Sequence, residues 1–242
     1  EAVKARKITD TIFVVYDLET SGLTPEVDAP IQVGAAKFRV KTDGSLEILG
    51  TYEELVAPKV PLSAVVTLVT GITDADLKGK PSIESVLARL RAFAGEDAVL
   101  LAHNAGFDTG FLGFQMKEHS IAPMPHMGLD TKELVKNIFP DILDRRLDEL
   151  ISLWNLGGIE EHQGLSDSLY TAQVFARVLL KASELKNGRV GALTVGDVAE
   201  KSPVLHFDTI LENLAGRPVK NPRPVPAAPA HEVQAKALEL IW

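Results

Sequence analysis

Hydrophobic positions near the start of the chain alternate with a period of two. In "IFVVYD" (12–17), Ile12, Val14 and Tyr16 fall on one face and Phe13, Val15 and Asp17 on the other, which predicts a β-strand. "IQVGAAKFRV" (31–40) and "EILGTYEELV" (47–56) predict two more strands joined by a turn at "TDGS", so the chain opens as a three-stranded antiparallel meander. The period then lengthens. From Ser82 to Ala94, the residues Ile83, Val86, Leu87, Leu90 and Phe93 recur at helical spacing, with Ser82 as N-cap and Gly95 as stop. "AVLLA" (98–102) is too short for a helix and predicts a buried strand, followed by a helix over "FDTGFLGFQMKEH" (107–119). Asp130 and Glu133 have capping-box spacing at the start of "TKELVKNIF". "LDELISLWNL" (147–156) predicts an amphipathic helix, and a longer one runs from about Ser166 to Ala182. A meander followed by helix, strand and further helices predicts an α/β domain with a mixed sheet, antiparallel and parallel, flanked by helices.

After Asn187 the pattern changes. Residues 188–215 are expected to form a helical extension of one or two short helices. Pro218, Pro222, Pro224, Pro226 and Pro229 then mark a semi-rigid linker, and "HEVQAKALELIW" (231–242) predicts a short closing helix or tail. The expected organisation is a main domain over 1–187, the extension over 188–215, and the proline-rich linker with its C-terminal helix or tail over 216–242.

Composition narrows the chemistry. The chain has no cysteine, which excludes disulfides, thiolate zinc sites and cysteine nucleophiles. No stretch approaches the ~18–20 apolar residues of a membrane span, and the start lacks a signal-peptide core, so a cytoplasmic protein is expected. The net charge of −8 disfavours binding nucleic acid through a broad basic patch. A site that reaches phosphate through bound divalent ions stays open.

Acidic residues gather at element ends. Asp17 and Glu19, two apart, project from one face if the first strand continues that far. A D-x-E at a strand end is more often a solvated edge than a site. Asp108 opens a helix directly after a buried strand and a loop carrying His103 and Asn104, and Asp167 lies at the start of the last long helix, five residues after His162. Either acid alone would be an ordinary dipole-stabilised residue, and a lone histidine is seldom catalytic. Together they say more. Four converging carboxylates repel unless cations intervene, and hard oxygen ligands favour Mg²⁺ or Mn²⁺. Two such ions can activate a water and stabilise the leaving oxygen of a phosphodiester, and a histidine can accept the water's proton.

"VVYDLETSGL", "HNAGFDTGFL" and "HQGLSDSLYTAQVF" resemble, in order and spacing, the motifs of the DEDDh branch of the DEDD 3′→5′ exonuclease superfamily. That branch includes proofreading subunits of bacterial replicative polymerases and ribonuclease T. "VTGITDADLKGKPSIESVLARLRAF" resembles the segment linking its first two motifs, and the likeness spans about residues 10 to 180. The resemblance implies an RNase-H-like fold for the main domain. It implies two Mg²⁺ or Mn²⁺ ions held by Asp17, Glu19, Asp108 and Asp167, with His162 as general base; were the base to lie elsewhere, His103 would be the next residue to test. It places Thr20, Ser21, Gly22 and Leu23 along the 3′-terminal nucleotide. Ile72, Thr73, His103, Asn104 and Phe107 would line the same pocket. The implied activity is hydrolysis at a single-stranded or frayed 3′ end of DNA, or of RNA, releasing nucleoside 5′-monophosphates in proofreading, repair or end trimming. The likeness does not extend to the C-terminal tail, where Gln234, Leu238, Leu240, Ile241 and Trp242 recur at roughly helical spacing; that face would dock on a polymerase, sliding clamp or helicase, or pack back on the chain's own domain. The alternative is a catalytically weak exonuclease-fold module that mainly binds a polymerase or helicase; its signature would be a lost ligand, and none is lost. One departure stands out: many members carry Arg-Ala or Ser-Ala after the histidine, whereas this chain has Gln163 and Gly164, which is expected to loosen the loop holding His162.

Overall fold

The computed structural model describes residues 2–158, 162–186 and 188–214. The meander forms as its alternation requires, from β1 (Ile12–Thr20), β2 (Pro30–Val40) and β3 (Leu46–Leu55). Beyond it come α1 (Ala64–Thr70), α2 (Asp74–Leu77) and α3 (Ile83–Ala94), then β4 (Val99–Ala102), α4 (Ala105–Glu118), β5 (Met127–Asp130), α5 (Thr131–Ile138), α6 (Leu147–Leu153) and α7 (Gly164–Leu185). The described part ends with α8 (Val195–Ala199), β6 (Val204–His206) and α9 (Phe207–Leu214). Among the described residues the strands make one sheet in the order β3-β2-β1-β4-β5-β6. β4 is parallel to β1 and β5 to β4, while β6 runs antiparallel to β5. This is the mixed sheet with an antiparallel meander that the sequence predicts.

Alternation along β1 assigns the two faces. Phe13 and Val15 pack with Phe38, Leu101 and Leu129 beneath α5, α6 and α7. Phe175 of α7 sits 5.0 Å from the Phe13 ring and 6.3 Å from Phe38, anchoring that helix across β1 and β2. Val14 and Tyr16 face the other way, into a core shared with Val33, Leu100 and side chains of α3, α4 and α9. Because β1 continues to Thr20, Asp17 and Glu19 stay in register with Phe13 and Val15 and project on the α7 side.

Several details differ from expectation, beginning with the short helices α1 and α2, which the periodicity does not predict. β5 and β6, of four and three residues, are too short to carry a periodic signal and went unpredicted. The last long helix begins at Gly164 rather than Ser166, and the helix expected from 107 begins at Ala105. Residues 188–214 hold short helices and also supply β6, the outer strand of the sheet beside β5. There α9 lies against α4 where Gly113 lacks a side chain; a Cβ at that position would meet Ile210 Cγ2 at 2.6 Å. Ahead of β1, the Ile8 amide donates to Leu193 O and the Val195 amide to Arg6 O, so the two flanks of the main domain are clasped together. The proline-rich linker and closing helix expected over 216–242 lie outside the described residues. No helix among the described residues is long and apolar enough to cross a membrane.

Candidate active site

Each acid is delivered by the end of an element. Asp17 and Glu19 come from the last residues of β1, where the β1–β2 register shifts between Glu19 and Thr20. Such irregularities bend a strand end and re-aim its side chains. β4 passes into α4 through Asn104, whose left-handed backbone (φ +66°) makes the sharp turn that brings the first turn of α4 back over β1. There the Asp108 carboxylate accepts the Leu18 amide at 3.1 Å, stitching α4 to the strand that bears the other two acids. Asp167 is buried in the first turn of α7 and accepts the Gln163 amide at 3.2 Å.

Asp17, Glu19, Asp108, Asp167 and His162 therefore line one cavity of about 220 Å³. Ligand atoms of Glu19, His162 and Asp167 lie within 4.8 Å of one another, spacing suited to a shared cation. Burial pushes the Asp108 carboxyl well above the usual carboxylate range, and the Leu18 amide only partly opposes it. Tyr16 is driven up by its own burial and then by Asp108 and Asp130. A bound cation would reverse this balance at Asp108 by favouring its charged form.

The two histidines differ. His162 is partly buried with a left-handed backbone (φ +50°); burial lowers its pKa, and Asp148 works against that shift. His103 is locked. Its Nε2 donates to Arg145 O at 2.7 Å, and its Nδ1 lies 2.9 Å from the Thr131 hydroxyl oxygen, within hydrogen-bond reach. Burial holds its pKa down to about 4.

Of the remaining expected residues, Thr20, Leu23, His103, Asn104 and Phe107 line the cavity. Ser21 and Gly22 do not line it; they brace the loop beside it. Ser21 Oγ accepts the Ala29 amide, Thr20 donates to Gly22 O, and a Cβ on Gly22 would meet the Asp28 carboxylate at 2.5 Å. Ile72 and Thr73 stand apart as well. Ile72 packs with Ile31, Leu62, Val66 and Leu77, and Thr73 caps α2 in a capping box. Sequence reasoning missed Val66, Val69 and Thr70 of α1 and the cations Lys132 and Arg146, all of which reach the cavity. Arg146 also pairs with Asp144, Asp148 and Glu149. Only the placement of α5 and α6 by the fold reveals these two cations.

A Cβ on Gly164 would sit 2.7 Å from Gly34 N, so this glycine marks a close backbone crossing.

Comparison with known proteins agrees with this architecture. A family model described as Exonuclease (RNase T) matches residues 14–175. The DNA polymerase III PolC-type protein of Caldanaerobacter subterraneus subsp. tengcongensis is 32% identical over 214 residues, which are 84% of this chain and 14% of that protein. Its counterpart in Thermotoga maritima is 38% identical over 168 residues, 69% of this chain and 12% of that one. The chain thus spans only about an eighth of the curated relatives it matches. Among solved structures, Exonuclease X in complex with 5′ overhanging duplex DNA is 25% identical with a TM-score of 0.52, covering 69% of this chain and 90% of that one. The nuclease domain of 3′hExo, a DEDDh family member bound to rAMP, shares the fold at a TM-score of 0.58 and 22% identity, covering 69% and 91%. The chain belongs to the RNase T exonuclease family.

Proposed function

We propose that the chain hydrolyses phosphodiester bonds from the 3′ end of DNA and releases nucleoside 5′-monophosphates. In this proposal Asp17, Glu19, Asp108 and Asp167 hold two divalent ions, Mg²⁺ or Mn²⁺. The observation that carries it is the convergence of these four carboxylates and His162 on one cavity from three separate parts of the chain. The donor set fits such ions, since hard oxygen ligands suit Mg²⁺ and Mn²⁺ and positive charge offsets the burial of Asp108. When bound, the ions lower the pKa of the attacking water and stabilise the leaving oxygen.

The chain's own groups do the rest. His162 takes the proton from the water as its oxygen bonds to phosphorus and the bond to the 3′ oxygen of the penultimate nucleotide breaks. His103 is unsuited to that task, because both ring nitrogens are already engaged. Leu23 and Phe107 offer apolar surface for the terminal base, and Thr20 flanks the position of its sugar. Lys132 and Arg146 add positive charge on the wall formed by α5 and α6, which suits the incoming phosphates. DNA as substrate is supported by the PolC-type relatives and by the DNA held in the Exonuclease X structure. The same relatives favour proofreading beside a polymerase.

The test is a side-by-side digestion of 3′-labelled single-stranded DNA, a duplex with a mismatched end, and RNA, with Mg²⁺, with Mn²⁺ and with excess chelator. Stepwise release of 5′-monophosphates from DNA, abolished by chelator, is expected. Hydrolysis that persists in excess chelator, or only internal cuts, would defeat the proposal.

A further inference from the structure

Helix α7 carries Asp167 in its first turn and follows directly on His162, yet its N-cap residue, Gln163, makes no side-chain cap. A helix start leaves several amides without intrahelical partners. The Gly164 amide finds one 132 positions away in the sequence, donating to Gln32 Oε1 of β2 at 3.0 Å in a buried bond. Gln32 is 7% exposed, and its other end donates to Glu53 Oε1 of β3 at 3.3 Å. Two further contacts seal the same seam. The Ser168 hydroxyl donates to Gly34 O at 3.1 Å. Gly34 and Gly164 cross backbone to backbone, so that a Cβ on Gly34 would fall 1.9 Å from Gly164 C. Gln32 is also the register partner of Glu19. The side chain that caps α7 thus stands beside one site acid, while the helix it caps holds another.

We propose that Gln32 is a positioning residue for hydrolysis. By capping α7 from the neighbouring strand, it sets where Asp167 and His162 stand relative to Asp17 and Glu19, without itself touching substrate. This rests on the metal-dependent exonuclease activity proposed above. Side chains that orient ligands in this way typically influence metal affinity or activity by about 10–100-fold. A glutamine that merely satisfied its own buried amide would influence folding alone.

The experiment compares the full 242-residue chain with Gln32→Leu and with the double variant Gln32→Glu/Glu53→Gln. The double variant exchanges the two side chains and keeps both an acceptor for the Gly164 amide and a donor across the seam. Four quantities are read: Mn²⁺ affinity by calorimetry, kcat and KM on 3′-labelled single-stranded DNA, and exchange of the Gly164 amide. Gln32→Leu is expected to lose about 10–100-fold in Mn²⁺ affinity and in kcat, with KM little changed and Gly164 exchange accelerated. The double variant should recover to within about threefold of the parent. If Gln32→Leu does not fold, Gln32→Asn is read in its place, since it stays polar but falls one methylene short of the amide. A folded Leu or Asn variant with parental Mn²⁺ affinity and kcat would overturn the proposal, as would a double variant no better than the single one. The parent is scored first: one that neither binds Mn²⁺ nor digests DNA would overturn the exonuclease assignment and this proposal with it.

Discussion

His162 and Asp108 show how a residue's surroundings set its chemistry. A general base must be neutral to accept a proton, and burial lowers the pKa of His162 below the ordinary ~6.5. The neutral form therefore persists to more acid pH than for an exposed histidine. The rate should fall only as pH drops through that lowered value. His162→Ala should lose on the order of 10²–10⁴-fold in turnover, together with the acid limb of the pH–rate profile. An unchanged limb in that variant would place the base elsewhere. Asp108 is shifted the opposite way. Its folded pKa is raised above the ~3.9 of the unfolded chain, so its contribution to stability is full below ~3.9 and is lost as pH rises through the raised value. Asp108→Asn keeps an acceptor for Leu18 and removes the charge. Without metal it should melt no lower than the parent at neutral pH, while turnover falls by at least about 10²-fold. Melting both proteins across that pH range checks the sign; a parent that gains on the Asn variant as pH rises would contradict it. These residues were legible because each falls inside a motif. Lys132 and Arg146 were not, because no local pattern separates a cavity cation from a surface one.

At the scale of elements, long periodic segments were readable and short or remotely satisfied ones were not. The alternation of β1 and the apolar stripe of α3 appear where their residues demand. β5, "MGLD", hides because four residues containing Gly and Asp carry neither length nor strand propensity. The start of α7 was misplaced for a different reason. Ser166 has the chemistry of an N-cap, but the real cap comes from Gln32 in another strand, and no window along the sequence contains both. Gly164 is part of the same seam. Many relatives by resemblance carry Ala at this position, so Gly164→Ala would ordinarily pass as a mild change in a helix. Here its Cβ would meet the Gly34 and Asp17 backbone, which cannot swing aside. The variant should therefore lose roughly 1–3 kcal/mol in urea unfolding, and its turnover should drop as α7 shifts. Parental stability would show that the crossing has slack.

Seen whole, the described residues form one sheet with helices packed on both faces, and the site lies at the carboxyl ends of β1 and β4, where two helices begin. The segment after α7 is integral to that body. Val190, Leu193, Val195 and Val198 are buried in the core beneath α7, while β6 and α9 cover the outer edge of β5 and α4 at Gly113. A chain cut after residue 187 should expose an unpaired strand edge and apolar surface. It is expected to melt at lower temperature and to scatter light on heating, and a cut chain that melts like the parent would refute this. The extension was underestimated from sequence because its three-residue strand acquires meaning only beside β5. The clasp between residues 6–8 and 193–195 then has a mechanical consequence. Tension arriving along the chain from the N-terminal side meets the hydrogen bonds of Lys4 O, Arg6 O and the Ile8 amide to residues 193–196, and the fully buried Ile8, before it reaches β1. The clasp is placed like strain relief on a cable: a tug on the flank loads the neck before it loads β1, at whose far end the carboxylates stand.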